Sequence, residues 1–353
     1  MISALVIGGT GFIGRHTVEN LIDHGYQVTS ISRSNPEFSF SNPDAITHIS
    51  ADRTDEARMR ELASRIELDL VIDCAAFYPH DVEVAVEAFA DADTYVYVSS
   101  GGVYSRQEIP KREDETPLHD CSEEQATDDT MASYGPRKAE GDRIARATDN
   151  GGITGMSVRP SVLYGPESVA SQEIEPTESE PSWIEGLPIN QTLHDYWIDR
   201  VDRYERIVVP GDGTAIWHRS YVEDVADALR VVAEQGTPGE AYNVGDRRVY
   251  TLEDIIESIA DALDTTVELV YASRRELAEY DLEPADFILY HHPATGYPHI
   301  HETCKIRRLG WKSTCVKEAI SRTVEERIDY LRDQPDAPPN REAEERLLAE
   351  LAQ

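Results

Sequence analysis

The sequence predicts an α/β fold, a doubly wound parallel sheet with a smaller C-terminal domain. Three observations carry this. Short β-branched runs alternate with helical stretches over the first 160 residues, as buried parallel strands joined by crossover helices require. A glycine cluster (Gly8, Gly11, Gly14) stands where the first strand run gives way to the first helical run. At 353 residues, the chain is long enough for about two domains.

The strand runs fall at 3–7, 27–32, 45–50, 68–73, 94–99 and 153–159, with helical runs such as 14–24 and 55–66 between them. Beyond Pro166 the alternation lapses. Residues 167–181 are acidic and rich in Ser, Pro and Glu, which reads as a loop or lid. A helix is expected over 221–235, with Asp224 as its N-cap, and a strand over 241–245 that returns to the sheet. Another helix follows over 251–263, with Thr251 as N-cap and Asp254 at the third helical position. After residue 333 comes a proline-rich stretch, then a helix over 342–352 that is solvated or touches another subunit. The expected division is 1–165 with 207–248 for the sheet domain, 166–206 with 249–332 for the second domain, and 333–353 as an acidic tail.

Composition narrows the partners. There are 67 Asp and Glu against 33 Lys and Arg, a formal net charge of −34, while 40% of residues are hydrophobic, enough for a packed core. Nucleic-acid backbones and anionic membrane surfaces are repelled on average, so neither is an expected partner. Only 5 of the basic residues are Lys and 28 are Arg. A Lys-poor, carboxylate-rich surface reads as adaptation to high salt, where the Debye length at ~1 M falls to about 3 Å and self-repulsion is tolerable. The melting temperature is therefore expected to rise between millimolar and molar KCl, and a flat response refutes salt adaptation. Four scattered cysteines without a C-x-x-C pair suggest neither zinc nor a disulfide framework. With an apolar run starting at Ile2 and no apolar stretch near membrane-spanning length, a cytoplasmic protein is expected.

The glycine cluster is the first functional signal. Residues 8–14 read Gly-Gly-Thr-Gly-Phe-Ile-Gly between a strand and a helix, the context in which this pattern binds a dinucleotide. Gly8 permits the tight turn, Gly11 lets the pyrophosphate approach backbone amides, and Gly14 lets helix and strand pack closely. The helix N-terminus then offers free N–H groups to the phosphates. Thr10, Phe12 and Ile13 within the loop, and Ala75 after the fourth strand, complete the cofactor contacts expected there. At the end of the second strand, where an NAD site usually carries an acid, stand Ser32 and Arg33. A guanidinium there meets a 2′-phosphate, so the reading is NAD(P) with NADP favoured; the alternative is a solvated arginine. Asp52 either accepts from the adenine amino group or caps a turn.

The second signal is Tyr134-Gly-Pro-Arg-Lys138, a phenol and an ammonium four residues apart on one helical face. Because Pro136 suits only a first turn, the helix is expected to start at Tyr134 with Ser133 as N-cap. A phenol with reference pKa near 10 is about three units too weak as a base near neutrality, a gap of roughly 4 kcal/mol. A Lys138 cation beside it is expected to close that gap and to hold the nicotinamide ribose. A third group is expected at the carboxyl end of the fifth strand, Ser100 first and Ser99 second, where ligands of parallel sheets bind.

With these residues the chain resembles the extended short-chain dehydrogenase/reductases, the NAD(P)-dependent epimerase/dehydratase group. The resemblance covers residues 1–330. It rests on 8–14, Asp52, Ser99-Ser100 with Val103-Tyr104, Tyr134 with Lys138, Arg159-Pro160 with Tyr164-Gly165-Pro166, 221–226, and 308–311. It implies a Rossmann-type cofactor domain and a substrate domain. It also implies the catalytic set Ser100, Tyr134 and Lys138, with Ser161 and Val162 along the nicotinamide. The implied substrate is a sugar or sugar nucleotide, and epimerisation and simple reduction both remain open. Gly101 and Gly102 stand where dehydratases of the family carry acids, which makes dehydration the lesser expectation. Trp217 stands where an arginine often binds the substrate diphosphate, with His218 and Arg219 following. A weaker likeness to chloroplast stem-loop RNA-binding proteins, on Ala51-Asp52-Arg53 and 99–104, keeps a non-catalytic RNA-associated protein as the rival reading. A homodimer is left open. The histidines His291, His292, His299 and His301 lack an accompanying acid or thiol framework, so no metal is expected there. Trp183, Tyr196, Trp197 and Trp217 are either an apolar lid or core packing.

Overall fold

The computed structural model describes residues 2–33, 40, 42–149, 152–166, 195–287, 300–333 and 341–351. Among them the strands are β1 (Ser3–Ile7), β2 (Gln27–Ser32), β3 (Ile46–Ser50), β4 (Leu70–Asp73), β5 (Thr94–Val98), β6 (Thr154–Pro160), β7 (Val162–Tyr164), β8 (Arg206–Pro210), β9 (Ile216–Trp217), β10 (Arg219–Tyr221), β11 (Ala241–Val244), β12 (Tyr250–Thr251) and β13 (Glu268–Ala272). The helices are α1 (Phe12–Asp23), α2 (Glu56–Ala63), α3 (Pro79–Ala88), α4 (Glu123–Thr127), α5 (Met131–Ala147), α6 (Asp195–Arg203), α7 (Val222–Gln235), α8 (Leu252–Ala262), α9 (Arg274–Ala278), α10 (Cys304–Arg307), α11 (Val316–Arg332) and α12 (Arg341–Leu351).

The chain divides into two units. The first comprises Met1–Leu163, Ser220–Gly245 and His301–Ser313, and the second Tyr164–Arg219, Asp246–Ile300 and Thr314–Gln353. The segment His301–Ser313 therefore belongs with the sheet, although the sequence reading placed it in the second domain. The reason is packing: Ile306 and Trp311 are buried in the sheet's core, and the Trp311 indole donates to the Asp224 carbonyl at 2.9 Å.

The first unit is a seven-stranded parallel sheet in the order β11-β6-β5-β4-β1-β2-β3, a Rossmann-type doubly wound arrangement. Alternation along β1 explains why helices lie on both faces. Ala4 and Val6 join an apolar layer with Val18 and Leu21 of α1 and Val225 and Leu229 of α7. Leu5 and Ile7 join the opposite layer with Met59, Val82 and Ala145. Each fully buried Val, Leu or Ile contributes roughly 1.5–3 kcal/mol, so neither face can be left to water. The order reverses between β1 and β4, which pair in parallel with Ile7 opposite Asp73, and this places a crevice at their carboxyl ends.

In the second unit β8 pairs in parallel with β13, and β9 pairs antiparallel with β12. Arg327 forks onto Asp195 at 3.1 and 2.8 Å, both side chains fully buried. Tyr196 and Trp197 are fully buried, so they are core; Trp183 and 167–181 lie outside the described residues. Helix α12 is not the solvated tail expected. Glu344 on it is buried, pairs with Arg200 and accepts from the Val208 amide of β8 at 2.8 Å.

Two helix starts also differ from expectation. Helix α5 begins at Met131, so Pro136 and Tyr134 lie inside it rather than at its opening. The Asp128 carboxylate accepts from the Thr130 amide and from the Thr130 and Ser133 hydroxyls, which starts the helix upstream and makes Ser133 a helical residue instead of the cap. Helix α7 begins at Val222, so Asp224 is buried in its first turn and is not the N-cap. Thr251 does cap α8, in a reciprocal box with Asp254.

Candidate active site

The glycine turn has the conformation its residues require. Gly8 has φ +83°, a left-handed value that favours glycine, and its amide donates to the Ile31 carbonyl at 2.7 Å. A Cβ on Gly14 would lie 2.0 Å from the Gly8 carbonyl oxygen, whereas a Cβ on Gly11 would meet only that oxygen, at 3.4 Å. Gly14 is thus demanded by the fold, and Gly11 is not. Helix α1 opens at Phe12 with Gly11 as N-cap and no acidic residue in its first turn, which leaves its positive end suited to phosphates. Thr10, Phe12 and Ile13 flank this opening and are each partly buried. We expect Gly14→Ala to cost about 3 kcal/mol of stability through overpacking. Gly11→Ala should leave the melting temperature unchanged while weakening dinucleotide binding by about tenfold or more, from crowding of the phosphate approach. Thermal melts and NAD(H) titrations in molar KCl check both.

At the far edge of the crevice, Arg33 is exposed directly after β2, and Ser32 is in register with Ser50 of β3. The Asp52 carboxylate accepts from the Thr54 amide and hydroxyl at 2.9 and 2.8 Å. These bonds, with the Arg33 charge a smaller contributor, hold Asp52 below the usual carboxylate range. The turn-capping role of Asp52 is therefore built, and its second carboxylate oxygen leaves an adenine contact compatible with it.

The catalytic candidates lie at the carboxyl ends of β4, β5 and β6. Ser100 opens a short 3₁₀ turn over Gly101–Val103 and accepts from the Gly102 amide at 3.1 Å. A Cβ on Gly102 would stand 3.4 Å from both the Ser100 hydroxyl and Tyr134 Cε1, so the two side chains flank one space. Burial pushes the Tyr134 phenol up, opposed first by the Ser100 hydroxyl and then by the Arg137 charge. Lys138, one helical turn beyond Tyr134, donates to the carbonyls of Ala76 and Val98 at 3.0 and 2.7 Å and lies 4.3 Å from the Tyr97 ring centroid. Desolvation pulls its ammonium down to about 7, opposed mainly by Asp73.

The Lys138 ammonium is turned onto backbone carbonyls, and the Arg137 charge also favours the ionised Tyr134 phenol. Arg137 is fully buried and stacks over Phe77 at 4.2 Å and Tyr78 at 5.3 Å, and Phe77 in turn lies 6.1 Å from the Tyr134 ring.

The remaining predicted residues converge on the same edge. Ala75 is exposed, and its methyl lies 2.7 Å from where a Cβ on Gly8 would stand, so the β4 turn touches the glycine turn. Ser99 is buried, and its hydroxyl has no hydrogen-bond partner among the described residues. An orphaned hydroxyl beside the crevice, the open space over Gly11 and the uncapped α1 terminus together fit a bound dinucleotide. Ser161 is buried after β6, its amide accepted by the Ser220 hydroxyl at 2.9 Å, and Val162 opens β7.

Gly101 also has a structural reason. A Cβ there would stand 2.3 Å from Cε1 of His301, which fills the space an acidic side chain would need. His301 itself is buried against the Tyr104 ring, whereas His291, His292 and His299 lie outside the described residues. Among the described residues no His, Cys, Asp and Glu group could hold a metal. In the second unit, Arg219 is buried with its guanidinium 4.8 Å from the Tyr164 ring, and Trp217 is half-buried.

Sequence reasoning missed Arg53, Asp73 and Arg137. Asp73 carried a signal: it is the one charge in the buried run Leu70-Val71-Ile72-Asp73, at the end of a strand. Arg53 and Arg137 carried none, because only the fold shows what they touch.

The model of the family described as NAD dependent epimerase/dehydratase matches residues 4–88 and 81–245. The chain is 26% identical over 270 residues to the chloroplast stem-loop binding protein of 41 kDa b from Arabidopsis thaliana, covering 73% of this chain and 62% of that protein. Among solved structures, it resembles UDP-glucose 4-epimerase with UDP-glucose from Thermotoga maritima, at TM-score 0.66 and 20% identity, over 94% of this chain and 100% of that one. It also resembles dTDP-glucose 4,6-dehydratase in complex with NAD from Bacillus anthracis, at TM-score 0.65 and 18% identity, over 94% and 98% of the two chains.

Proposed function

Because the chain belongs to the NAD-dependent epimerase/dehydratase family, we propose that it is an NAD(P)-dependent epimerase or reductase of a sugar-nucleotide hydroxyl or carbonyl. The observation that carries this reading is that Ser100 and Tyr134 flank one space on an edge that also touches the glycine turn. The bound nicotinamide supplies the hydride acceptor or donor. Gly8, Gly11 and the α1 terminus hold the phosphates, and Asp52 faces the adenine end. Tyr134 takes the hydroxyl proton from substrate when an alcohol is oxidised and returns it when a carbonyl is reduced. Ser100 holds the reacting oxygen and, with Arg137, lowers the cost of the phenolate. Lys138 holds the nicotinamide ribose. Dehydration is the less favoured outcome, because Gly101 and Gly102 carry no acid.

The experiment is to purify the chain in molar KCl, identify the dinucleotide that copurifies, and screen UDP- and dTDP-hexoses for epimer or keto-sugar formation. Failure to bind any dinucleotide, or failure to turn over any member of the screen, refutes the reading. NADP is the proposed preference, from Arg33. Arg33→Ala is expected to shift the NADP-to-NAD affinity ratio by about tenfold toward NAD, the worth of one charge-assisted phosphate contact. The stem-loop binding relative supports RNA association as a second reading, against which the charge of −34 weighs. A gel-shift with structured RNA in the same salt separates the two.

A further inference from the structure

Four consecutive backbone amides after β4 are held by only two carboxylates. Asp73 Oδ1 accepts from the Ala75 and Ala76 amides at 3.0 and 2.9 Å. Asp81 Oδ2 accepts from the Phe77 and Tyr78 amides at 2.8 and 2.9 Å. One guanidinium joins both acids. Arg53 Nη1 donates to both Asp73 carboxylate oxygens at 2.7 and 2.9 Å, Nη2 donates to the Asp81 carbonyl at 2.6 Å, and Nε lies 3.5 Å from Asp81 Oδ1. Tyr95 adds a hydroxyl to Asp73 Oδ2 at 3.0 Å.

What this segment touches gives the arrangement its meaning. Ala75 lies against Gly8, the Ala76 carbonyl receives the Lys138 ammonium, and Phe77 lies beside Tyr134 with Arg137 stacked on it. Every residue from 75 to 77 thus meets either the glycine turn or the Tyr134–Lys138 helix. The Asp73 charge is also the main influence keeping Lys138 protonated against its burial. Without Arg53, the buried Asp73 and the partly buried Asp81 would lose the counter-charge they share.

We propose that Arg53 is a positioning residue: by clamping Asp73 and Asp81 together it fixes the 75–78 segment, and through it the placement of Lys138 and Tyr134 against the cofactor turn. This rests on the oxidoreductase reading for its purpose, but not for its test. Lysine cannot replace the guanidinium, because one ammonium is a point donor that cannot meet Asp73 with one nitrogen and Asp81 with two others.

The test uses Arg53→Met and Arg53→Lys in the full chain in molar KCl, with hydrogen exchange of amides 75–78 and the emission of bound NADH as readouts. Exchange of those amides is expected to rise about tenfold or more in both variants, with β1 and β6 amides unchanged, as loss of charge-assisted bonds confined to one segment requires. Emission of bound NADH should shift, and with a substrate in hand kcat should fall about tenfold while KM stays within about twofold. Wild-type exchange at 75–78 in the variants overturns the clamp. Loosened amides with unchanged NADH emission and kcat overturn the positioning role. If Arg53→Met does not fold, Arg53→Lys is read by the same criteria. Should the wild type turn over no sugar nucleotide, the functional reading fails, while exchange and NADH emission still decide this one.

Discussion

Tyr134→Phe is expected to lower turnover by about a hundred- to ten-thousand-fold, the usual worth of a positioned general acid–base. Cofactor affinity should change by less than about tenfold, because the glycine turn and the α1 terminus hold the phosphates independently of the phenol. The substitution removes one hydroxyl from a partly exposed ring, so the fold should survive it. Single-turnover measurements of hydride transfer, with a parallel NADH titration, separate the two quantities. Near-normal transfer would show that another group moves the proton. The effect should exceed that of Ser100→Ala, since Ser100 holds an oxygen that Tyr134 must also protonate.

The second large effect is on stability. Arg159 on β6 forks onto Asp142 of α5 at 2.9 and 2.7 Å, with both side chains fully buried. It also donates to the Tyr104 hydroxyl at 3.0 Å, which in turn donates to Asn243 of β11 at 2.7 Å. Arg159→Met leaves Asp142 with only the more distant Arg146, so a loss of about 3–5 kcal/mol is expected. Adding Asp142→Leu should recover much of it, because the cost lies in the stranded charge and not in the missing pair. Denaturant melts of the two single variants and the double in molar KCl test this; a double variant no better than Arg159→Met would contradict it. The same pair sets an acid limit. Arg159 holds the Asp142 carboxyl down at about 2, below its unfolded value of roughly 3.9. Its contribution is therefore complete above about pH 4 and is lost as pH falls through about 2. In the Arg159→Met variant the acid dependence should reverse, because burial then raises the stranded Asp142 carboxyl and its protonation as pH falls relieves part of the cost.

The fold and the cofactor edge were legible because their signals are local. Strand–helix alternation reports burial on two faces, and the glycine spacing reports a turn whose atoms lie within seven residues of one another, 8–14. The pairing of Tyr134 with Lys138 was legible for the same reason, one helical turn. Their electrostatics were not. The Lys138 ammonium reaches the carbonyls of Ala76 and Val98, 62 and 40 residues away, which its spacing from Tyr134 does not foretell. Asp224 and Ser133 looked like caps from their order alone, and the caps fell elsewhere because Asp128 and the strand before α7 decide where each helix begins.

By itself, then, the sequence determined a parallel sheet with a dinucleotide turn at its first crossover, and a phenol and an ammonium on one helix. Those features follow from backbone sterics and periodicity, which act over a few residues. The tertiary structure alone decided which charges meet: Arg53 with Asp73 and Asp81, Arg159 with Asp142, Glu344 with Arg200. Buried ions must find partners wherever the fold brings them, and in this chain those partners come from elements tens to more than a hundred residues apart.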